Sequence, residues 1–316
     1  NDHQKFQKEG RLPHWRFKLI HEEVSWVDMV RGNCTYDMKS LSDPVIMRED
    51  GRPIYTLASV VDDIDHNISH IIRGEDHVTN SAAQIQLFKA LGGKVPELGH
   101  LSLLAGSEGE GLSKRFGSLN LGELKQEGFE SITLSSLLAK IGTSDPMKVF
   151  INTDELIKDF DLSKFSRNTA KFDSNDLYIM NKKSIQFMEF KEAKSRLTEI
   201  GLDINEEFWR TISGNLNKLN EARIWWDVVY GEIDPIIDNS NLIEKAIEFF
   251  PENNLDNTSW GSWCKSISGN TDYKGRDLFI SLRKAITGFE YGPELSNLLP
   301  LIGKDKILSR MSGKKS

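Results

Sequence analysis

Long apolar runs, cysteine and a surplus of positive charge are all absent or scarce in this 316-residue chain, and each shortage excludes a class of protein. No window approaches the roughly 18 uncharged apolar residues that a membrane helix needs, and the N-terminal residues contain no apolar signal-peptide core. The two cysteines, Cys34 and Cys264, lie too far apart to indicate a disulfide scaffold and fit a reducing cytoplasm. The net charge of −7 would repel a polyanion, so any polyanionic partner must meet a local basic surface.

The rest of the composition is that of an ordinary globular protein. Hydrophobic residues make up 38% and charged residues 28% of the chain, which excludes a disordered or membrane-embedded protein. At roughly 150 residues per domain, the length predicts two or three domains. A basic excess lies at the C-terminal end, where residues 274–316 contain nine basic and four acidic side chains. This excess indicates either a solvated tail or a surface for a polyanion.

The first part of the chain, residues 1–115, has the mixed pattern of an α/β domain. Helices are predicted for residues 56–65 and for residues 80–91, the second ended by two glycines. Strands are predicted for four apolar runs, residues 14–20, 24–30, 69–74 and 100–106, and for a hairpin around the Asp50-Gly51 turn. Short apolar strands that alternate with helices predict a parallel sheet.

From about residue 120 onward the pattern is helical nearly throughout. Residues 129–142 predict a helix with a glycine stop, and residues 152–160 predict another that Asn152 caps. Four tryptophans are predicted to pack in the core of a helical bundle rather than to stack on bases, namely Trp225, Trp226, Trp260 and Trp263. The predicted fold class is therefore an α/β half followed by an all-α region.

One stretch of the α/β region, residues 53–84, places charged side chains among apolar ones. Arg73 and Asp76 follow the apolar pair Ile71-Ile72 of a strand that is predicted to be buried, so both emerge at its carboxyl end. Ligands of parallel α/β sheets bind at that edge. An arginine there is suited to hold a substrate carboxylate through two parallel hydrogen bonds. A structural ion pair between Arg73 and Asp76 explains the spacing equally well.

A glycine-rich segment, residues 106–118, contains Ser113, Lys114 and Arg115. Such a backbone followed by cations suits a loop that closes on phosphates, although the spacing is not that of a Walker loop. A surface loop without a ligand accounts for the same composition.

The histidines do not predict a metal centre. His66 and His70 lie four residues apart but have no third ligand nearby, so no protein-bound zinc is expected. His77, directly after Glu75-Asp76, is instead predicted to form part of a polar pocket wall.

These segments together resemble one known family. Residues 55–92, YTLASVVDDIDHNISHIIRGEDHVTNSAAQIQLFKALG, followed by GLSKR at 111–115, are similar to the second half of the catalytic domain of bacterial glutamyl-tRNA synthetase. Residues 160–185 are similar to that family's stem-contact region, and residues 286–308 resemble the end of its anticodon-binding domain. The resemblance covers essentially the whole chain, in the family's order.

The resemblance implies a Rossmann-like catalytic half followed by all-α stem-contact and anticodon-binding regions. Residues 1–118 would be the C-terminal part of the class I catalytic domain with the end of its acceptor-binding insertion. Residues 119–182 would form the stem-contact helical domain, and residues 183–316 the all-helical anticodon-binding domain. The implied reaction is the ATP-dependent activation of glutamate and its transfer to the 3′ end of tRNA.

The resemblance also implies the partners. The substrates would be ATP, which binds as a complex with Mg²⁺, together with L-glutamate and tRNA for glutamate. Whether tRNA for glutamine is also charged stays open. We expect no membrane partner, a cytoplasmic location and a monomer.

By the same resemblance, Tyr55, Ser59 and Arg73 line the glutamate pocket, with Arg73 as the carboxylate clamp. Asp76 and His77 border the adenylate site.

In the GLSKR loop, Gly111, Leu112 and Lys114 would contact ATP. Lys114 would form the catalytic set with Ser113 and Arg115. Two positions depart from the family pattern. Gly111 stands where many relatives have lysine, and Ser59 stands where some have asparagine.

One family element is not found. Class I synthetases carry an H-x-G-H-like motif early in the nucleotide fold, and no histidine here is followed by matching residues, whether His14, His21, His77 or His100. We therefore expect that the first strand–loop–helix of the ATP site lies upstream of Asn1. We also expect that residues 1–316 alone bind tRNA but do not activate glutamate.

Two alternatives to this reading stay open. One is a catalytically inert tRNA-binding or regulatory module derived from such an enzyme, against which the presence of Tyr55, Arg73 and Lys114 argues. The other is the sister enzyme for glutamine, which fits the helical C-terminal half less well.

Overall fold

The computed structural model describes residues 5–6, 8–10, 12–106, 109 and 120–316. The chain divides into two compact units. The first unit comprises Asn1–Ser118, Ala139–Met147 and Ile157–Asp173. The second comprises Leu119–Leu138, Lys148–Leu156 and Ser174–Ser316.

The first unit contains the strands of the described chain. They are β1 (Trp15–Arg16), β2 (Glu23–Asp28), β3 (Gly32–Asp37), β4 (Val45–Met47), β5 (His70–Gly74), β6 (Glu97–Leu101), β7 (Leu104–Ala105) and β8 (Ala170–Lys171). The main sheet has the order β3-β2-β6-β5. Strands β2, β6 and β5 run parallel, as the sequence predicts, and β3 is added to β2 as an antiparallel edge. Two small pairs, β1 with β4 and β7 with β8, complete the strand pairing.

Two helices of the first unit follow their predicted positions, α1 (Tyr55–Asp65) and α2 (Val78–Ala90). A 3-10 turn over Glu75–His77 connects β5 to α2. Helix α2 packs its alanines and Ile85 against apolar residues of the sheet, such as Val24 and Leu98. Helix α1 covers the other flank of α2 through a small cluster of Val60, Leu87 and Phe88. The carboxyl ends of the parallel strands therefore lie next to the first turns of both helices.

Three strand predictions for this unit need correction. The strand predicted over residues 14–20 is reduced to Trp15–Arg16, because the backbone N–H groups of Leu19 and Ile20 donate to side chains of Asp43 and Gln86 instead of to a ladder. The hairpin turn forms, but its second arm has one bridge, and helix α1 begins directly after it. The run over residues 100–106 is divided between β6 and β7.

The prediction that β5 is buried is also wrong. Ile72 is 46% exposed, because β5 forms an edge of the described sheet and has a partner on one side only. Strand β3 was not predicted, since its sequence GNCTYD lacks the alternation of apolar residues that marks a strand.

The chain beyond residue 119 is helical, as predicted. Its helices are α3 (Leu121–Glu127), α4 (Ser131–Lys140), α5 (Thr153–Asp159), α6 (Ser174–Phe187), α7 (Phe190–Glu199), α8 (Glu206–Ile212), α9 (Ala222–Val229), α10 (Ser240–Glu248), α11 (Ser259–Asn270), α12 (Gly275–Thr287), α13 (Leu295–Ile302) and α14 (Lys304–Met311). Asparagine side chains begin several of them, since Asn205 and Asn239 accept backbone N–H groups three residues on. The predicted cap at Asn152 is confirmed by its bond from the Glu155 backbone, 2.9 Å long.

The second unit has one large apolar core, and the predicted tryptophans belong to it. Trp225 and Trp263 are buried in this core, and Trp226 and Trp260 pack against it. The indole N–H of Trp263 donates to the Ala246 carbonyl at 2.9 Å, so its polar atom is satisfied inside the core. Among the described residues, no helix is both long and apolar enough to cross a membrane.

The basic C-terminal segment is not a solvated tail. Arg310 is fully buried and donates to the carbonyl oxygens of Ile286 and Ser316, and burial lowers its pKa to about 10. Lys306 donates to two backbone carbonyls, and Lys284 pairs with carboxylates on either side. Several of the nine basic side chains therefore hold the helical unit together and are already engaged within it.

Candidate functional site

The carboxyl ends of three parallel strands bring a set of polar side chains together. Arg73 on β5 stands in register with His100 on β6, and Asp28 is the last residue of β2. Helix α2 starts close by and contributes Ser81 and Gln84 from its first two turns. Ligands of parallel α/β sheets bind at this edge, so the geometry fits a small-molecule site.

Arg73 is the centre of this set. Its Nη2 donates to Ser81 Oγ at 2.8 Å and to Gln84 Oε1 at 2.7 Å. Its Nη1 donates to the Tyr55 hydroxyl at 3.0 Å, and its Nε points to His100 Nε2 at 3.4 Å. A guanidinium has five N–H hydrogens. Among the described residues, four of them have acceptors and one hydrogen on Nη1 has none.

A buried hydrogen bond between a histidine and a carboxylate supports Arg73. His100 is fully buried, Asp28 is 2% exposed, and His100 Nδ1 lies 2.5 Å from Asp28 Oδ2. Burial opposes ionisation of Asp28, but hydrogen bonds from the His100 side chain and from the backbone N–H groups of Arg31, His100 and Val30 outweigh it and lower the pKa of Asp28. Asp28 is therefore a carboxylate at neutral pH.

Helix α1 supplies an exposed wall of the site. Tyr55, its first residue, is 52% exposed, and its ring lies 5.7 Å from the ring of His77. Ser59, one turn later, accepts from Gln84 Nε2 at 2.9 Å. Burial raises the pKa of Asp63 on the same helix, while the charge of Arg73 acts in the opposite direction. Helix α1 thus places the accessible hydroxyl of Tyr55 beside the guanidinium of Arg73.

The structure brings most of the predicted pocket residues together. Tyr55, Ser59 and Arg73 share one hydrogen-bond network, and the His77 ring packs at a tilt against the ring of Tyr55. Asp76 lies next to His77, with 3.9 Å between its Oδ2 and the imidazole Nε2. Within the described chain Arg73 makes no ion pair, so the alternative of a structural Arg73–Asp76 pair is wrong. The neighbouring acid, Glu75, pairs with Arg31 instead, at 2.6 Å.

The predicted phosphate loop is not among the described residues. Gly111, Leu112, Ser113, Lys114 and Arg115 all lie outside the described residues. In the part of the chain that is described, no group of three or more His, Cys, Asp or Glu side chains could hold a metal ion.

Sequence reasoning missed four residues of the network, namely Asp28, Ser81, Gln84 and His100. Each is buried although it is polar. A partial signal existed, because Asp28 interrupts the apolar run VSWVDMV, Gln84 lies inside SAAQIQLF, and His100 and Ser81 stand at the first positions of HLSLLAG and SAAQIQLF. Buried polar side chains need partners, so such interruptions point to a common network.

Comparisons with known proteins identify the family. The family model "tRNA synthetases class I (E and Q), catalytic domain" matches residues 1–179, and the model "Anticodon binding domain" matches residues 237–313. Glutamate–tRNA ligase 1 of Maricaulis maris is 46% identical over 98% of this chain and 69% of its own length. Glutamate–tRNA ligase of Azospirillum brasilense is 44% identical over 99% of this chain and 70% of its own.

A solved structure gives the same fold. The crystal structure of a glutamate tRNA ligase from Elizabethkingia meningosepticum, in complex with its amino acid, superposes with a TM-score of 0.77 at 23% identity. The match covers 98% of this chain and 70% of that one. Since the catalytic model matches more than half of the chain, and ligases above 40% identity match nearly all of it, the chain belongs to the glutamate–tRNA ligase family of class I tRNA synthetases, a family of ligases.

Proposed function

We propose that this chain binds L-glutamate at the carboxyl ends of β2, β5 and β6, and that the site serves the ATP-dependent ligation of glutamate to tRNA. The observation that carries the proposal is Arg73. It is a half-buried cation at the ligand-binding edge of a parallel sheet, and it has no carboxylate partner within the described chain. A cation held in this way is suited to receive the carboxylate of a ligand.

The hydrogen bonds of Arg73 define how that carboxylate would be held. The Nε and Nη2 hydrogens already have acceptors within the described chain. One hydrogen of Nη1 is available, and the Tyr55 hydroxyl, which accepts from Nη1, retains its own proton. We therefore assign the side-chain carboxylate of glutamate to a mixed clamp formed by Arg73 Nη1 and the Tyr55 hydroxyl.

This clamp favours glutamate over glutamine. Both of its groups present hydrogens, and a carboxylate has only acceptors. The side-chain amide of glutamine offers one acceptor oxygen, so the two donors must share that oxygen or one of them faces the amide NH₂. The sister activity with glutamine is therefore the weaker candidate.

The nucleotide side of the proposal rests on the family resemblance. Asp76 and His77 would border ATP, which enters with Mg²⁺ as a substrate complex. Gly111, Leu112 and Lys114 would contact the nucleotide, and Lys114 with Ser113 and Arg115 would neutralise phosphate charge. In the first step the α-carboxylate of glutamate attacks the α-phosphate, and pyrophosphate leaves. In the second the 3′-terminal hydroxyl of tRNA attacks the acyl carbon, and AMP leaves.

The helical unit is the proposed tRNA-binding part. The match to an anticodon-binding model over residues 237–313 supports this assignment. Lys274 and Arg276 are exposed at the start of α12 and have no ion-pair partner among the described residues, so they are candidate phosphate contacts.

We further propose that the chain has three domains, residues 1–118, 119–182 and 183–316. We also propose that the protein is a cytoplasmic monomer and that its tRNA substrate is tRNA for glutamate, with tRNA for glutamine still open.

Arg73→Lys in the full-length protein tests the site. A lysine cannot reach all four acceptors of Arg73, so we expect the KM for glutamate in ATP–pyrophosphate exchange to rise roughly 10- to 100-fold. The matched control is Arg31→Lys, which alters an arginine engaged by Glu75 and should leave this KM near wild type.

An unchanged KM for glutamate in Arg73→Lys would remove Arg73 from the site. A wild-type protein that binds tRNA but shows no glutamate-dependent exchange would instead support the inert tRNA-binding module.

A further inference from the structure

Three buried side chains form a network with Arg73: Ser81 and His100 contact its guanidinium, and Asp28 contacts His100. Asp28, Ser81 and His100 are each at most 2% exposed. Ser81 Oγ lies 2.8 Å from both Arg73 Nη2 and His100 Nε2, and His100 Nδ1 lies 2.5 Å from Asp28 Oδ2. The three residues form one chain of hydrogen bonds that ends on the guanidinium.

The donors and acceptors of this array fix the state of His100. The Nε of arginine can only donate, and its acceptor is His100 Nε2. That nitrogen then carries a lone pair, and the imidazole proton lies on Nδ1, where the Asp28 carboxylate accepts it. Ser81 Oγ, 2.8 Å from Nε2, donates its single proton to Nε2 rather than to the His77 carbonyl. The opposite tautomer would set two N–H groups against each other and leave Asp28 without its short hydrogen bond.

We infer that the Asp28–His100–Ser81 array positions Arg73, by holding His100 in the Nδ1–H tautomer so that its Nε2 and Ser81 Oγ orient the guanidinium toward the ligand carboxylate. The inference rests on the proposed glutamate site. Because acceptors hold Nε and Nη2 in place, the plane of the guanidinium is fixed and the free Nη1 hydrogen points in one direction. The binding site is then organised before the ligand arrives, which reduces the entropy lost on binding.

The same three residue types form the nucleophilic array of serine hydrolases. That role does not fit here. Ser81 Oγ is 1% exposed, it accepts from a guanidinium, and it lies within 3.1 Å of the His77 carbonyl. A substrate carbonyl has no access to it. The array is therefore a set of positioning residues.

Two substitutions of His100 test the inference in the full-length protein. His100→Asn retains an amide near Nδ1 for Asp28 but has no atom near Nε2. His100→Gln extends an amide toward Nε2. We expect His100→Asn to raise the KM for glutamate roughly tenfold, as for loss of a hydrogen bond to a charged group, with kcat and the KM for ATP within about threefold of wild type. His100→Gln should recover part of the loss.

Gln86→Ala is the matched control. Gln86 is another buried amide of α2, but its bonds go to the backbone of Ile20 in both directions. It should lower stability without changing the KM for glutamate. If His100→Asn also leaves this KM unchanged while Arg73→Lys raises it, the positioning role is overturned and the proposed site stands. If neither changes it, the proposed site itself fails.

The wild-type protein offers a test that does not depend on folding of a variant. Long-range ¹H–¹⁵N correlation spectra distinguish protonated from unprotonated imidazole nitrogens. We expect His100 with a proton on Nδ1 and none on Nε2 at neutral pH. A proton on Nε2 would overturn the inference, because that nitrogen could then not accept from Arg73.

Discussion

The two units differ in the size of their apolar clusters and in what their buried polar side chains contact. Among the described residues, the helical unit has a core cluster of thirty apolar residues, whereas two clusters of the α/β unit contain seven and three. Both units bury polar side chains, but Asp28, Ser81, Gln84 and His100 of the α/β unit form one network with Arg73, whereas the buried Arg310 of the helical unit donates to backbone carbonyls. Apolar burial gives stability without direction, while hydrogen bonds give a side chain one orientation. The largest described apolar cluster therefore stabilises the helical unit, while the buried polar network of the α/β unit orients Arg73.

The largest effect should follow from damage to the helical core. Trp263 is 1% exposed and packs against Phe250 and Trp260, with ring centroids 4.9 and 6.0 Å away. Trp263→Ala should lower the free energy of unfolding of this unit by about 3–5 kcal/mol. Urea denaturation followed by circular dichroism measures the loss.

Tyr291→Ala is the control for this variant, since Tyr291 is 81% exposed and its loss should leave stability within about 0.5 kcal/mol. A loss below about 1 kcal/mol in Trp263→Ala would show that the large cluster is not what stabilises the helical unit.

A smaller effect, confined to the α/β unit, should follow from Asp28. Its folded pKa is lowered, so its contribution to stability is complete above about pH 4, the ordinary pKa of aspartate, and is lost as pH falls through the lower folded value. Asp28→Asn should cost about 1–3 kcal/mol at neutral pH and remove this acid-sensitive part. Hydrogen exchange of the β2 and β6 amides between pH 5 and 2.5 measures this acid-sensitive part of the stability. Equal acid sensitivity in variant and wild type would contradict the assignment.

Prediction from the sequence succeeded for the helical unit and failed for the polar network of the α/β unit. The helical unit could be predicted because its signals are local: apolar spacing, tryptophans and capping asparagines such as Asn152. The polar network could not, because Asp28 and His100 are 72 residues apart and meet only through strand register. Ile72 was predicted as buried for the same reason, since an apolar strand does not tell which neighbours it will have.

The residues that carry ligand chemistry were partly predictable. Tyr55, Ser59 and Arg73 came from motif resemblance and lie together. The geometry of the clamp did not follow from it, because the number of free guanidinium hydrogens depends on Ser81, Gln84 and His100.

Binding of tRNA should depend weakly on single exposed cations of the helical unit. Removing two phosphate contacts in Lys274→Ala/Arg276→Ala should make the slope of log affinity against log salt less negative by about 1.4–1.8. The control is Lys245→Ala, whose charge is already paired with Glu248 at 2.7 Å. Filter-binding titrations at several salt concentrations measure both. An unchanged slope in the double variant would place the phosphate contacts elsewhere.

The smallest effect concerns the two cysteines. Burial raises the pKa of the Cys264 thiol in the helical core to about 12, and Cys34 in the α/β unit is only half-buried, with a pKa that burial also raises. Alkylation at pH 8 should therefore modify Cys34 before Cys264, without loss of the helical fold. Mass spectrometry of time points gives the order, and faster modification of Cys264 would show that the helical core opens more easily than the α/β unit.

The central claim is that Arg73, with Tyr55, recognises a side-chain carboxylate. Calorimetric titration of the full-length protein with L-glutamate and with L-glutamine, in wild type and in Arg73→Gln, tests it most directly. We expect wild type to bind glutamate at least roughly tenfold more tightly than glutamine, and the ratio to fall toward one in Arg73→Gln. A preference for glutamate that survives in Arg73→Gln would contradict the account.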